Sequence, residues 1–598
     1  MSREPEDVLM FADACFLTRE FHRAIHAIKQ ARLVEVDDHR RGHLAAPTRL
    51  TLKAALLLGQ CLQEIKQRDE CLELLSKVLP EREQDAVALA RRVDDCLEQG
   101  GDGNSDADGI NIVASLALLQ GETHEALGNR ENATASFRTA LRCDVHCAEA
   151  FFHLFDKQML SADEEKRLVA SLDFSSDEMN LLQALYQTHV GKYDTMSSVE
   201  ARFTPVEDEF GLHDNLDMNV TKAETYYYQH DIQRAHEICQ RIRGRDPFNF
   251  RIITVFVATL VELGKKRELY HYAHQLVDVY PKKAAAWYTV GCYYLVIDKF
   301  EAAQRYFHKA TTLEPTYAPA WIGFGNSFAA QDESDQAMSS YRTASSLFPG
   351  SHLPPLYIGM EYVRTNNLVQ AHEYLRQAAS ICPTDPLVYN ELGTVHYKRK
   401  EFARAIEMFN KALQLCRHLP ERLMDAWEPT LFNLGYSYRK LRMFDQAIHY
   451  FQAALRLSPR NASVLAALGF THHMKGDLEA AIESYHAALA YNPEDSLAGT
   501  MITVAFEESL SSSHASLARL GLPPGGSQRN RHHSRKQLGH TPSARPAADT
   551  AVESDAAMDD HVLRRLDLDQ SYSSIEQSRP SLACSSLDFS DDSMNMEE

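Results

Sequence analysis

The chain has 598 residues, 44% apolar and 24% charged, with a formal net charge of −21. That length admits several ordinary domains or one long solenoid, and the composition is that of a folded chain. The acidic balance argues against a nucleic-acid-binding body and against docking on anionic membranes, and no window approaches the 18 unbroken apolar residues of a membrane-spanning helix.

The N-terminus carries no signal-peptide layout, and Phe11 to Ile28 reads as an amphipathic helix pair. Residues 1–156 read as divergent repeat-like helices. Their small and apolar residues include Ala12, Cys15 and Ala24, then Gly59, Leu62 and Leu75, then Gly121, Ala133, Phe137 and Ala140. A polar loop at 100–109 interrupts them. Asn104, Asp106, Asp108 and Gly109 take positions one, three, five and six of a calcium loop, but position twelve, which needs a bidentate Glu, is Ser115. Cys143 and Cys147 are the only close cysteine pair of the eleven cysteines, and no second pair completes a zinc site. Single cysteines in helical patterns suit a reducing compartment, and no cofactor or metal is expected. The three glycosylation triplets, at Asn132, Asn219 and Asn461, read as chance matches. Residues 157–215 lose the repeat frame and read as an irregular helical segment.

From 216 to 509 a regular period governs the chain, with repeats starting near 216, 250, 284, 318, 352, 386, 428 and 462, followed by a capping helix. Gly291, Gly325, Gly359 and Gly393 are each 34 residues apart, as are Gly435 and Gly469, with eight residues inserted between the two sets. The same register holds Trp287, Ala303, Phe307, Ala310 and Pro315, then Trp321, Ala337, Tyr341, Ala344 and Pro349, with matching sets in the later copies. Each position has a physical role. The apolar residues fall on one face of each of two helices. Gly and Ala let the helices pack closely, the aromatics fill the space between pairs, and Pro ends the second helix. A lone pair cannot bury both faces, whereas stacked pairs do. The pattern resembles the tetratricopeptide-repeat (TPR) family, which implies an all-α, superhelical solenoid with a concave groove. Trp287, Gly291, Trp321, Gly325, Gly359, Gly393, Gly435 and Gly469 are then its repeat-defining residues.

If the usual stacking holds, positions five, nine, twelve and thirteen of each first helix face the groove. These positions give Tyr288, Asn326, Met360, Arg364, Asn390, Tyr397, Tyr436, Arg439 and Phe470 as candidates for holding an extended peptide, with amides for its backbone and aromatics for its side chains. His472 and His473 read as packing or groove-lining residues. After about residue 510, Ser, Pro, Gly, Arg and Asp replace the apolar period, so 510–598 is expected to be a disordered tail. It carries a basic run, Arg529 to Lys536, and a Thr541-Pro542 pair suited to phosphorylation. No phosphate-cradling glycine loop, no Gly-x-Ser-x-Gly elbow and no His-Glu-x-x-His pair is present, so no catalysis is expected.

Phrases not needed by the repeat carry a narrower resemblance. They are Leu276 to Pro281 with Ala286 to Leu295, Lys309 to Phe328 with His352 to Tyr362, and Trp427 to Lys440. Over about 216–500 they resemble the subunit 6 family of the anaphase-promoting complex, or cyclosome. The resemblance implies a non-catalytic scaffold in a cell-cycle ubiquitin ligase, with sister TPR subunits as neighbours. It also implies homodimers through the N-terminal repeats and a small companion subunit held in the C-terminal groove. Nucleus and cytoplasm are the expected locations, with no nucleic-acid or membrane partner. The competing reading is a TPR peptide-binding adaptor or co-chaperone outside that complex. It calls for a Lys/Asn/Arg carboxylate clamp on successive repeats, which this mixed aromatic and polar groove lacks.

Overall fold

A computed structural model describes residues 4–34, 48–99, 110–174, 179–193, 199–229, 231–416 and 427–519. The polar loop 100–109 with its calcium-like residues, the basic run and the Thr541-Pro542 pair lie outside the described residues. Among those described, the regular elements are α-helices and no β-strand occurs. Two compact units divide the chain, one up to Val388 and one from Tyr389 onward.

In both units, helices alternate as antiparallel hairpins. The first unit includes Ala284–Val296 with Phe300–Leu313, Ala318–Ala329 with Ser334–Leu347, and Leu353–Arg364 with Leu368–Ile381. The second includes Glu428–Lys440 with Phe444–Leu457 and Ala462–Lys475 with Leu478–Tyr491. The prolines act as stops. Helices ending at Arg245, Val279, Leu313, Leu347, Ile381, Leu457 and Tyr491 are each followed two residues later by Pro247, Pro281, Pro315, Pro349, Pro383, Pro459 and Pro493. The residue before a proline is pushed out of the helical region, so the helix ends one residue earlier still. The alanines of the second helices, Ala303, Ala337, Ala371, Ala405, Ala447 and Ala481, are wholly buried.

The repeat glycines are sites of ring contact. A Cβ on Gly291 would stand 2.6 Å from Cε1 of Phe307, and one on Gly435 would stand 2.5 Å from Cε1 of Phe451. Gly121 meets Phe137 in the same way at 2.5 Å, so the divergent N-terminal hairpin Ile112–Ala126 with Arg130–Cys143 uses the same joint. The two register tryptophans tie each repeat to the end of the one before. Trp287 Nε1 donates to the Pro281 carbonyl at 2.7 Å, and Trp321 Nε1 to the Pro315 carbonyl at 2.9 Å.

One periodic feature has no composition of its own. The hairpin turns place a residue in the left-handed region at Gly264, Asp298, Asp332, Asn366 and Lys400, then at Arg442 and Gly476. Only two of these seven are glycine, so the fold imposes the conformation against a side chain's preference elsewhere.

The segment 157–215 contains helices Ala162–Ser171, Asn180–His189 and Val199–Phe210. Within the first unit its connections bind the later repeats. Gly350 N donates to the Gln158 carbonyl at 2.9 Å, Gln158 Nε2 donates to the Tyr228 hydroxyl at 2.9 Å, and Tyr193 packs edge-on against His352 at 5.3 Å. In the second unit, the final helix Ser496–Arg519 runs on past residue 510, and the rest of the expected tail lies outside the described residues.

Candidate peptide-binding wall

The candidates lie at the fifth, ninth, twelfth and thirteenth positions of each repeat, on the first helix of its hairpin. The fate of each candidate depends on what its own chain already offers it.

In the first unit the polar candidates are spent internally. Asn326 Oδ1 accepts from the Tyr341 hydroxyl at 2.7 Å, and Tyr357 shares this asparagine. Arg364 reaches Glu361 at 2.6 Å and also bonds Asp332 and Ser334, so its fork joins two hairpins. Tyr288 packs against Phe307 and Tyr317 at 6.1 and 5.6 Å. Burial, with Cys292 and Tyr317 beside it, raises its hydroxyl well above the usual phenol range. Met360 is half-buried on helix Leu353–Arg364.

In the second unit, Asn390 is buried and bridges two hairpins, accepting from Thr430 Oγ1 at 2.8 Å and donating to Glu391 at 3.0 Å. Burial lifts the Glu391 carboxyl to about 7, against the pull of Asn390 and Lys398. Tyr397 is buried edge-on against Phe402 at 5.4 Å.

Three candidates come together. The Arg439 guanidinium lies 4.3 Å from the Tyr436 ring centre and 4.9 Å from the Phe470 ring centre, between two consecutive hairpins. Tyr436 is itself braced edge-on by Phe432 at 4.7 Å and Phe451 at 5.7 Å. A cation over ring faces is attracted by their negative quadrupole, and a guanidinium keeps its in-plane N–H groups available while it stacks. On the next hairpin, His473 Nε2 meets Glu508 at 2.9 Å, and its ring stands edge-on to Tyr485 at 6.4 Å. His472 Nδ1 lies 3.6 Å from Asp477.

Sequence reasoning missed Tyr485. It is counted among the repeat's packing aromatics, yet its hydroxyl is buried with no hydrogen-bond partner among the described residues. The signal was available, because Tyr341 and Tyr485 each lie fifteen residues after the ninth position of the repeat, where one finds Asn326 and the other Phe470.

Stacked helical hairpins with glycine–aromatic joints and proline stops every 34 residues define a tetratricopeptide-repeat protein, and family models described as tetratricopeptide repeat match residues 284–317, 386–460 and 432–496. The chain is 37% identical over 523 residues to a mouse cell division cycle protein 16 homolog, covering 86% of this chain and 80% of that protein. It is 39% identical over 515 residues to anaphase-promoting complex subunit 6 of Arabidopsis thaliana, covering 84% and 91%. The chain therefore belongs to the subunit 6 family of the anaphase-promoting complex, a family of TPR subunits. Among solved structures, the crystal structure of the APC/C hetero-tetramer Cut9–Hcn1 aligns with a TM-score of 0.60 and 30% identity, over 84% of this chain and 96% of that one.

Proposed function

We propose that this chain is a non-catalytic scaffold subunit of the anaphase-promoting complex. It joins sister TPR subunits and holds a segment of a small companion polypeptide along the first helices of its C-terminal repeats. The observation that carries the reading is the match over most of the chain to Cut9, which was crystallised with Hcn1. The cluster Tyr436–Arg439–Phe470 supports it from this chain's own residues, because aromatic and arginine groups are the side chains that anchor bound polypeptides. The scaffold pairs with a second copy through its N-terminal repeats, where Met10 and Leu17 expose apolar side chains on the first helix.

Affinity purification of the tagged chain from dividing cells, followed by mass spectrometry, tests the scaffold role. Cullin-like, RING and sister TPR subunits should co-purify. Recovery of chaperones without ligase subunits would move the chain to the adaptor reading. Light scattering of the purified chain reads the homodimer directly.

A further inference from the structure

Two groups in the second unit, one on a first helix and one on the second helix of the next hairpin, lack hydrogen-bond partners among the described residues. The first is Arg439. Only 6% of it is exposed, and its guanidinium carbon lies over the rings of both Tyr436 and Phe470. Among the described residues, no carboxylate or carbonyl lies within bonding distance of its N–H groups. Stacking satisfies the faces of a guanidinium but not its edge, where five donors call for acceptors. In a chain of net charge −21, a buried cation without a carboxylate of its own is out of keeping with the surroundings.

The second is Tyr485. Its side chain is fully buried and its hydroxyl has no partner among the described residues, whereas Tyr341 at the same repeat position donates to Asn326 at 2.7 Å. Phe470 replaces that asparagine and turns its ring to Arg439 instead. One substitution within the repeat thus removes an acceptor and adds an aromatic face for the cation. Burial raises the Tyr485 hydroxyl above the usual phenol range, and the charge of Arg439 works against that rise, so the two groups lie within electrostatic reach. Nearby, Glu508 is already engaged by His473.

We infer that Arg439, held over the rings of Tyr436 and Phe470, is a receptor for the carboxylate of an aspartate or glutamate side chain on the bound companion, with the nearby Tyr485 hydroxyl as a second donor. This deepens the scaffold reading and rests on it. The ligand is acidic because a planar fork of charged donors matches a carboxylate in two parallel bonds, which a backbone carbonyl cannot offer. The unpaired edge of Arg439 sets a register along the wall, and the stacked rings hold the fork in one orientation before binding.

The test titrates the full-length chain with Hcn1, made as a full-length polypeptide, and with Hcn1 variants in which each Asp or Glu is changed singly to Asn or Gln. Arg439→Gln should weaken binding by more than tenfold. One single carboxylate-to-amide change in Hcn1 should do the same, and the two together should weaken binding no further than either alone. Tyr485→Phe, which keeps the packing ring, should lose several-fold on that same Hcn1 position and guards against a folding defect in the arginine variant. Unchanged affinity for Arg439→Gln, or losses that simply add at every acidic position, would overturn the carboxylate site and leave the scaffold reading standing. Absence of Hcn1 binding by the unaltered chain would overturn both. Displacement of Hcn1 by a peptide of residues 585–598, dependent on Arg439, would reassign the site to the chain's own acidic end.

Discussion

Gly350 and Gln158 meet backbone to backbone. The amide of Gly350 donates to the carbonyl of Gln158 at 2.9 Å, and there is no room for a side chain between them. A Cβ on Gly350 would sit 2.7 Å from that carbonyl oxygen and collide with the carbonyl of Leu160. Backbone yields less than a flexible side chain, so Gly350→Ala should destabilise the first unit by about 1–3 kcal/mol. Gly244→Ala is the matched control. Gly244 lies in helix Ile232–Arg245 with nothing within 4 Å of an added methyl, and there alanine should stabilise by about 1 kcal/mol. Calorimetric scans of both variants check the opposite signs. Equal shifts would mean that the 158–350 joint bears no strain.

This joint also marks the limit of what the sequence discloses. Gly, Ala and Pro at fixed spacing are written by local rules, helix against helix and helix stop, so Gly291, Ala303 and Pro315 are legible one repeat at a time. Gly350 follows Pro349 and looks like ordinary turn punctuation; its neighbour is a segment outside the repeat frame, and no periodic signal links the two. The left-handed turn residues were hidden for a different reason. Asp298, Asp332, Asn366 and Lys400 share a conformation without sharing a side chain. For the candidate wall, the offsets name positions but do not tell a side chain free to bind from one already engaged. Arg364 and Arg439 occupy neighbouring offsets; the first has Glu361 and Asp332, and the second, among the described residues, has only rings.

Asn326 illustrates the same distinction as a prediction. Its carbonyl oxygen is the acceptor for the buried Tyr341 hydroxyl, so Asn326→Ala, which removes that bond, should cost about 1 kcal/mol. Tyr341→Phe removes the same bond from the other side, so the double variant should lose less than the sum of the two single changes. Denaturant midpoints for the two singles and the double measure this coupling. Companion affinity measured on the double variant then reads Asn326 as a contact residue. Additive losses in stability would show that the 2.7 Å bond contributes nothing.

Glu391 makes stability depend on pH. Burial raises its carboxyl from the ordinary 4.5 to about 7, so the folded second unit holds a proton more tightly than the unfolded chain does. The stabilisation is fully present below about pH 4.5 and is lost as pH rises through 7. Wild type should therefore lose up to about 3 kcal/mol between pH 5 and pH 8 at this site. Glu391→Gln keeps the amide-like shape beside Asn390 and removes the titration. Its unfolding midpoint should vary less over that interval, and it should exceed wild type at pH 8. Parallel pH profiles for the two proteins would place the proton elsewhere.

Lys192 and Glu224 form a buried pair in the first unit, 3.0 Å apart, with the lysine only 5% exposed. Burial opposes both charges. The Lys192 ammonium nevertheless outweighs it at Glu224 and holds that carboxyl below its usual range, while Glu224 and Asp156 raise Lys192. Breaking the pair leaves the survivor desolvated, so Lys192→Met should destabilise by about 3–5 kcal/mol. Replacing both partners removes both desolvation costs, and Lys192→Met with Glu224→Leu should be markedly less destabilised than the single change. Urea unfolding of the two variants followed by tryptophan fluorescence is suited to the comparison, since Trp287 and Trp321 both lie in the first unit. A double variant as unstable as the single would assign the cost to lost side-chain packing, because charge imbalance predicts recovery and packing loss does not.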